Sequence, residues 1–108
     1  MPSVPPYVFV LQFVAGALVA NGVPHFVQGV CGHPFQSPFA SPPGVGESSP
    51  MVNVLWGFLN LAAGFALIDA FPAAGSAAIG QFLAFGLGAL VMALALARHF
   101  GRVRARGR

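Results

Sequence analysis

Two histidines and the only cysteine of the chain, His25, Cys31 and His33, lie within nine residues of one another. Imidazole and thiolate are ligands that zinc and copper prefer, so one hypothesis for this segment is metal binding. The spacing His-x5-Cys-x-His differs from structural zinc sites, in which paired ligands are separated by about two to five residues. The alternative is that both histidines bond to loop backbone and Cys31 packs as a small apolar group. We favour this alternative and predict no bound metal and no cofactor.

A cysteine–histidine nucleophile pair is a third use for the same residues. Such catalysis needs a thiolate, a base and a further group that orients the base. Glu47 is the only acid near Cys31 and His33, and nothing in the pattern makes it that orienting group. Glu47 and Asp69 lie at opposite ends of a predicted helix, so they cannot form an acid–base pair within one subunit. We therefore expect that the protein is not an enzyme.

Amide side chains recur within the apolar stretches of the sequence at helical spacing. Steps of four, three and four residues place one set on a single stripe of a helix: Asn53, Gly57, Asn60 and Gly64. Polar side chains inside a membrane usually face protein and often mark function. Two interpretations stay open, namely hydrogen bonds between helices and a polar pocket for a small ligand. The candidate residues for either are Gln12, Asn21, His25, Gln28, Asn53 and Asn60.

The depth of these amides predicts one specific contact. A loop joins the predicted ends of the first and second helices, so Asn21 and Asn53 should lie at similar depth. Gln12 is nine residues from Asn21, and Asn60 is seven from Asn53. At about 1.5 Å per residue, both lie roughly 10 to 14 Å further into the membrane. We therefore predict that Gln12 meets Asn60 across the pair of helices.

The composition indicates in which class of protein these amide and histidine side chains lie. Of 108 residues, 56% are hydrophobic and only 6% are charged, against about 25% charged in an ordinary soluble domain. So few charges cannot cover a water-facing surface, which excludes a soluble globular domain. The single cysteine excludes a disulfide scaffold. The composition therefore predicts a small integral membrane protein.

Three apolar stretches are long enough to span a membrane, which predicts an all-α bundle of three transmembrane helices forming one membrane domain over residues 1–108. We place the helices at about 6–23, 51–71 and 77–97, with a basic tail at 98–108. Pro24 is expected to end the first helix or to kink it. If that helix continues, Asn21, His25 and Gln28 share one face. No basic residue precedes the first stretch, so we predict a retained helix and not a signal peptide.

The loop between the first and second helices, residues 24–50, is rich in Pro and Gly and yet apolar. It contains six Pro, four Gly and four Ser together with Phe26, Phe35 and Phe39. Long loops without regular structure are usually functional or disordered, and the aromatic residues favour an ordered one. We predict a structured loop that packs on the membrane surface or between the helices.

Every arginine of the chain lies within its last eleven residues. They are Arg98, Arg102, Arg104, Arg106 and Arg108. Arginines that follow an apolar helix usually mark the cytoplasmic side, so we predict a cytoplasmic C-terminus in the plasma (inner) membrane. Their alternative use is binding of anionic lipid headgroups. The tail has no series of aromatic residues for stacking on bases, so we expect no nucleic-acid partner.

Short motifs rich in Asn, Gly, Pro and Ser are distributed over residues 21–60. They are Asn21-Gly22-Val23-Pro24-His25-Phe26, Pro38-Phe39, Pro42-Pro43-Gly44-Val45-Gly46, Ser48-Ser49-Pro50 and Asn53-Val54-Leu55-Trp56-Gly57-Phe58-Leu59-Asn60. Together these motifs resemble a group of small bacterial multi-pass membrane proteins of unknown function. The resemblance implies a membrane protein, and it implies no activity, cofactor or partner.

The third predicted helix carries Gly80, Ala84 and Gly88 at four-residue steps, a small-residue face suited to close contact between helices. This face predicts association with a second copy or with a larger membrane complex in the lipid bilayer. Three helices enclose little volume, which argues against a monomeric channel. We therefore predict a non-enzymatic accessory subunit or self-assembling protein. The alternative is a module that binds or transports a small ligand or metal through the region from His25 to Asn60.

Overall fold

Three long helices and one short hairpin make up the computed structural model, which describes residues 4–106. Each of the three helices is long and apolar enough to cross a membrane. The predicted all-α membrane bundle, with a structured segment between its first two helices, is therefore confirmed. The elements are α1 (Pro6–Val30), β1 (Phe35–Gln36), β2 (Glu47–Ser48), α2 (Pro50–Ala70), a 3-10 turn (Gly75–Ala77) and α3 (Ala78–Arg106).

Helix α1 continues through Pro24 and ends at Val30, so the prediction that it stops near residue 23 was wrong. Pro24 has no N–H for the carbonyl of Ala20, and one backbone bond of the helix is lost. Breaking the helix there would free several backbone groups in an apolar setting, which costs more than one missing bond. The connecting segment therefore shortens from the predicted 24–50 to residues 31–49.

Helix α3 also exceeds its predicted bounds. We expected it to end near residue 97 before a separate tail, whereas it continues to Arg106. Residues 98–106 contain no proline, and Arg and Ala are good helix formers. Arginines in the last turn also interact favourably with the negative end of the helix dipole. Helix α2, by contrast, agrees with its predicted bounds to within one residue, with Ser49 as its N-cap.

Helix α1 lies between the other two and packs along both, whereas α2 and α3 barely touch. Glycines permit the close approach. A Cβ atom at Gly22 would lie 2.7 Å from the carbonyl oxygen of Gly57 on α2. A Cβ atom at Gly16 would overlap the backbone carbonyl of Phe85 on α3, and one at Gly88 would overlap that of Phe13 on α1. The small-residue face of α3 is thus used within the chain.

The hairpin packs over the ends of the helices and forms, with the end of α1, the start of α2 and the end of α3, a unit that we call the headpiece. Phe35 pairs with Ser48 across the two strands. Beyond the strands, the backbone N–H of Ser37 donates to the carbonyl of Gly46 at 3.2 Å. Gly44 has a φ of 75°, a conformation that favours glycine, and its N–H donates to the carbonyl of Ser37. These bonds order the segment between α1 and α2.

Candidate functional site

The Asn53 side chain connects α2 to the hairpin and is fully buried. Its Nδ2 lies 3.1 Å from each of three backbone carbonyl oxygens, those of Phe35, Ser48 and Ser49. Because carbonyl oxygens only accept hydrogen bonds, this nitrogen must face them. The orientation of the amide is therefore fixed, and Oδ1 of Asn53 faces α1.

The ring of His25 forms a hydrogen bond with the oxygen of the Asn53 amide. Its Nδ1 lies 2.8 Å from Oδ1 of Asn53, and the side chain is 3% exposed. Since Oδ1 only accepts, Nδ1 carries the hydrogen, which leaves Nε2 of the neutral ring with a lone pair. In the hydrogen bonds of residues 4–106, His25 takes part through Nδ1 and not through Nε2. The rings of Phe35, Trp56 and Phe100 stand edge-on around His25.

Asn60 pairs with Asn21, so the predicted contact between Gln12 and Asn60 was wrong. Nδ2 of Asn21 donates to Oδ1 of Asn60 at 3.0 Å, and Nδ2 of Asn60 donates to the carbonyl of Trp56 at 2.8 Å. The error follows from the length of α1. The helix continues seven residues beyond its predicted end, which moves every α1 residue relative to α2.

Gln12 lies at the opposite end of the bundle from the headpiece. Its Nε2 donates to the carbonyl of Phe71 at 2.6 Å, just after the end of α2. Gln81 is 2% exposed and accepts a bond from the N–H of Ala74. Its Nε2 also donates to the carbonyl of Pro72 at 3.3 Å. These two glutamines satisfy backbone groups of the turn between α2 and α3 and do not join the other candidate residues.

Gln28 and the proposed metal ligands are also separated from the buried amides. Oε1 of Gln28 pairs with Nδ1 of His33 at 3.0 Å on the outer surface. Cys31 is exposed, whereas His25 is buried. Across residues 4–106, no three His, Cys, Asp or Glu side chains come together in a group that could hold a metal. The structure therefore does not assemble His25, Cys31 and His33 into one site.

A cavity of about 230 Å³ lies between the hairpin and the three helices. We call it the headpiece cavity. Trp56 lines it, and the buried Nε1–H of Trp56 has no hydrogen-bond partner among residues 4–106. A buried donor without an acceptor is unusual and needs an explanation. The polar and aromatic residues that line the cavity include Asn21, His25, Ser37, Trp56, His99 and Phe100.

His99 and Trp56 belong to this site although the sequence analysis did not select them. Nε2 of His99 donates to the carbonyl of Gly44 at 2.6 Å and so connects α3 to the hairpin. His99 falls in the region that we expected to be a separate tail, so no pattern placed it beside α1. Tryptophan is common where a membrane helix reaches the interface. The position of Trp56 in the sequence therefore did not indicate that it lines a cavity.

Arg104 closes one side of the headpiece. Its guanidinium stands 5.3 Å from the centre of the Phe35 ring and donates to Oε1 of Gln36 at 3.4 Å. The other described arginines of the proposed lipid-headgroup set are exposed on α3, and Arg108 lies outside the described residues. The exposed ones are Arg98, Arg102 and Arg106.

Comparison with known proteins gives no match to a family model, to a curated protein or to a solved structure. The resemblance to small bacterial membrane proteins therefore stays an expectation. The three apolar helices support its coarser content, a multi-pass membrane protein.

The pairing of Asn21 with Asn60 predicts a measurable coupling. Asn60→Leu should destabilise the protein by roughly 1 kcal/mol, because it removes the hydrogen bond to the half-buried Asn21 amide. Asn21→Leu combined with Asn60→Leu should cost less than the sum of the single changes. Unfolding in one detergent measures this cycle. Gln12→Leu combined with Asn60→Leu is the control and should be additive. Additivity of the Asn21 and Asn60 changes would contradict the contact.

Proposed function

We propose that the protein is a non-enzymatic membrane protein that binds a small, uncharged ligand in the headpiece cavity. The observation that carries this proposal is the buried ring of His25, which lines the cavity and uses only Nδ1 in the hydrogen bonds of the described residues. Its Nε2 is therefore an acceptor for a ligand that donates a hydrogen bond. Trp56 lines the same cavity, and its Nε1–H, which protein covers in the unliganded structure, would reach a ligand once the indole turns toward the cavity.

The size and charge of the cavity support this class of ligand. At about 230 Å³, it is smaller than the roughly 300 to 1,000 Å³ typical of pockets for drug-sized molecules. A single ring with one polar substituent fits that volume. Among the described residues, no Asp, Glu or Arg lines the cavity, so neither a cation nor an anion has a counter-charge there. These features favour an uncharged molecule.

The separation of the polar groups favours binding over transport. Gln12 and Asn21 are nine residues apart on α1, a distance of about 13 Å along a helix. Between them α1 is apolar, and Ala15 and Gly16 are buried against α2 and α3. The described residues thus offer no continuous polar path from one end of the bundle to the other.

Small aromatic ligands test the proposal in detergent-purified protein. We expect 4-methylphenol and benzamide to raise the melting temperature and to shift the emission of Trp56, the only tryptophan of the chain. Toluene has the same ring without a polar group and should do neither. Trp56→Phe should lose most of the thermal shift, whereas Leu55→Phe, on the exposed face of α2, should retain it. Equal shifts in both variants would contradict the proposal.

A second candidate function is a subunit of a larger membrane complex or of a homo-oligomer. It is favoured by an apolar pocket of about 230 Å³ at the turn end of the bundle, which is lined by Phe65, Phe82 and Phe85. An apolar side chain of a partner could fill that pocket. Cross-linking in native membranes should then trap a larger species that Phe82→Ala reduces and Leu94→Ala does not. A monomer alone in both variants would contradict this candidate.

The single cysteine gives a direct test of the proposed orientation. Cys31 is exposed and lies at the same end of the bundle as the described arginines of α3. If these arginines are cytoplasmic, a membrane-impermeant maleimide should label Cys31 only after cells are permeabilised. Ser76→Cys combined with Cys31→Ser places the thiol in the exposed turn at the other end, and it should react in intact cells. The reverse pattern would place the arginines outside.

A further inference from the structure

An apolar groove runs along the outer surface between α1 and α3. It has a volume of about 560 Å³, and four of the nine residues that line it are alanines. We call it the α1–α3 groove. Both helices are apolar enough to cross a membrane, so the groove opens toward the region that lipid would occupy. Its lining includes Ala20, Val23, Ala89, Ala93, Leu96 and Phe100.

The α1–α3 groove and the headpiece cavity adjoin. Leu96 and Phe100 line both of them, so each of these side chains has the apolar groove on one side and the polar cavity on another. One molecule that occupied both spaces would need a small polar end and an apolar end. An amphiphile has these two ends.

We propose that the ligand of the headpiece cavity is a membrane amphiphile whose head binds there and whose tail lies in the α1–α3 groove. This inference rests on the proposed function, since it names the class of the ligand. The head is uncharged and carries a hydroxyl or carbonyl oxygen. A hydroxyl donates to Nε2 of His25. Either oxygen accepts from Nε1–H of Trp56 once the indole turns toward the cavity, because protein covers this group in the unliganded structure.

The position of the groove also defines how the ligand enters. A lateral opening between two membrane helices admits a molecule from the bilayer without passage through water. The tail gains little from leaving lipid for an apolar groove, because the two environments are similarly apolar. The polar contacts of the head therefore provide the specificity. The groove provides the space into which a tail extends when the head lies in the headpiece cavity.

The decisive experiment compares one head with and without a tail. We use 4-methylphenol and 4-nonylphenol as probes and measure the Trp56 emission of the full chain in detergent. Ala93→Phe fills the groove, and it should weaken 4-nonylphenol binding by at least about tenfold while leaving 4-methylphenol unchanged. Ala95→Phe is the matched control, because Ala95 is exposed on α3 and lines neither space. It should leave both affinities unchanged.

The outcomes distinguish a failure of the amphiphile inference from a failure of the proposed function. If Ala93→Phe leaves 4-nonylphenol binding intact while 4-methylphenol still binds, the amphiphile inference is overturned and the proposed function stands. If neither phenol binds the wild-type protein, the proposed function itself fails. If both bind and only the tailed phenol is sensitive to Ala93→Phe, the inference is supported.

Two classes of membrane amphiphile, quinols and neutral acylglycerols, have an uncharged head with a hydroxyl group. Decylubiquinol and 1,2-dioctanoylglycerol therefore form two arms of the same experiment, with the melting temperature as the readout. A rise with either one that Ala93→Phe abolishes and Ala95→Phe preserves supports the inference and identifies the class. The absence of a rise with both would overturn it.

Discussion

Replacing Gly88 with alanine should destabilise the protein by about 3 kcal/mol, near the upper end of the range for overpacking. The added Cβ would overlap the backbone carbonyl of Phe13 on α1. A flexible side chain could move away from such a contact, whereas a helix backbone can move only with the whole helix. Gly16 meets Phe85 in the same way, so Gly16→Ala should have an effect of similar size. Denaturant unfolding in a single detergent measures both changes.

Gly86→Ala provides the matched control for this prediction. Gly86 lies two residues from Gly88 on α3, and a Cβ there would meet nothing within 4 Å. Because alanine favours a helix more than glycine does, Gly86→Ala should be neutral or should stabilise the protein by up to about 1 kcal/mol. If Gly88→Ala behaved like Gly86→Ala, α1 and α3 would not approach as closely as the structure places them.

The small-residue face of α3 illustrates what the sequence could and could not predict. The spacing of Gly80, Ala84 and Gly88 correctly indicated a face for close helix contact, and Gly88 makes that contact with α1. The spacing carries no information about which helix covers the face. Lipid tails and apolar side chains are similarly apolar, so hydropathy does not distinguish a partner within the chain from a second copy.

The register between α1 and α2 could not be read from the sequence because it depends on where α1 ends. Proline both ends soluble helices and occurs inside membrane helices, so Pro24 left the end open. Placing it near residue 23 shifted α1 by about two turns and paired Asn60 with Gln12. With the end at Val30, the partner is Asn21. The stripe of amides was thus predictable, and its pairing was not.

The candidate site was predicted in part. The amide and histidine pattern selected Asn21, His25, Asn53 and Asn60. The structure brings them together in two pairs, His25 with Asn53 at the headpiece and Asn21 with Asn60 further along α1 and α2. His99 required two facts that local patterns do not provide: the continuation of α3 and the fold of the hairpin onto it. The shape of the cavity depends on contacts between residues far apart in sequence. The helical spacing of polar and apolar residues does not predict such contacts.

Asn53→Leu should have the largest effect of any single change in the headpiece, a loss of at least about 3 kcal/mol. The change removes the donor to three carbonyls and the acceptor for Nδ1 of His25. The carbonyl of Ser49 keeps its bond from the backbone N–H of residue 53. Nδ1 of His25 and the carbonyl of Phe35 lose a buried partner, at roughly 1 to 3 kcal/mol for each group that water cannot reach. Unfolding in detergent measures the total loss.

Hydrogen exchange separates a loss of the hairpin from a general loss of stability. In Asn53→Leu, the amides of Ser37 and Gly44 should exchange much faster, because the hairpin loses its main side-chain connection to α2. Asn60→Leu is the same substitution two turns along α2 and should leave these amides protected. Combining Asn53→Leu with His25→Phe should restore part of the stability, since the double change removes both partners of a buried bond. Equal protection of the hairpin in Asn53→Leu and Asn60→Leu would show that Asn53 does not hold it on α2.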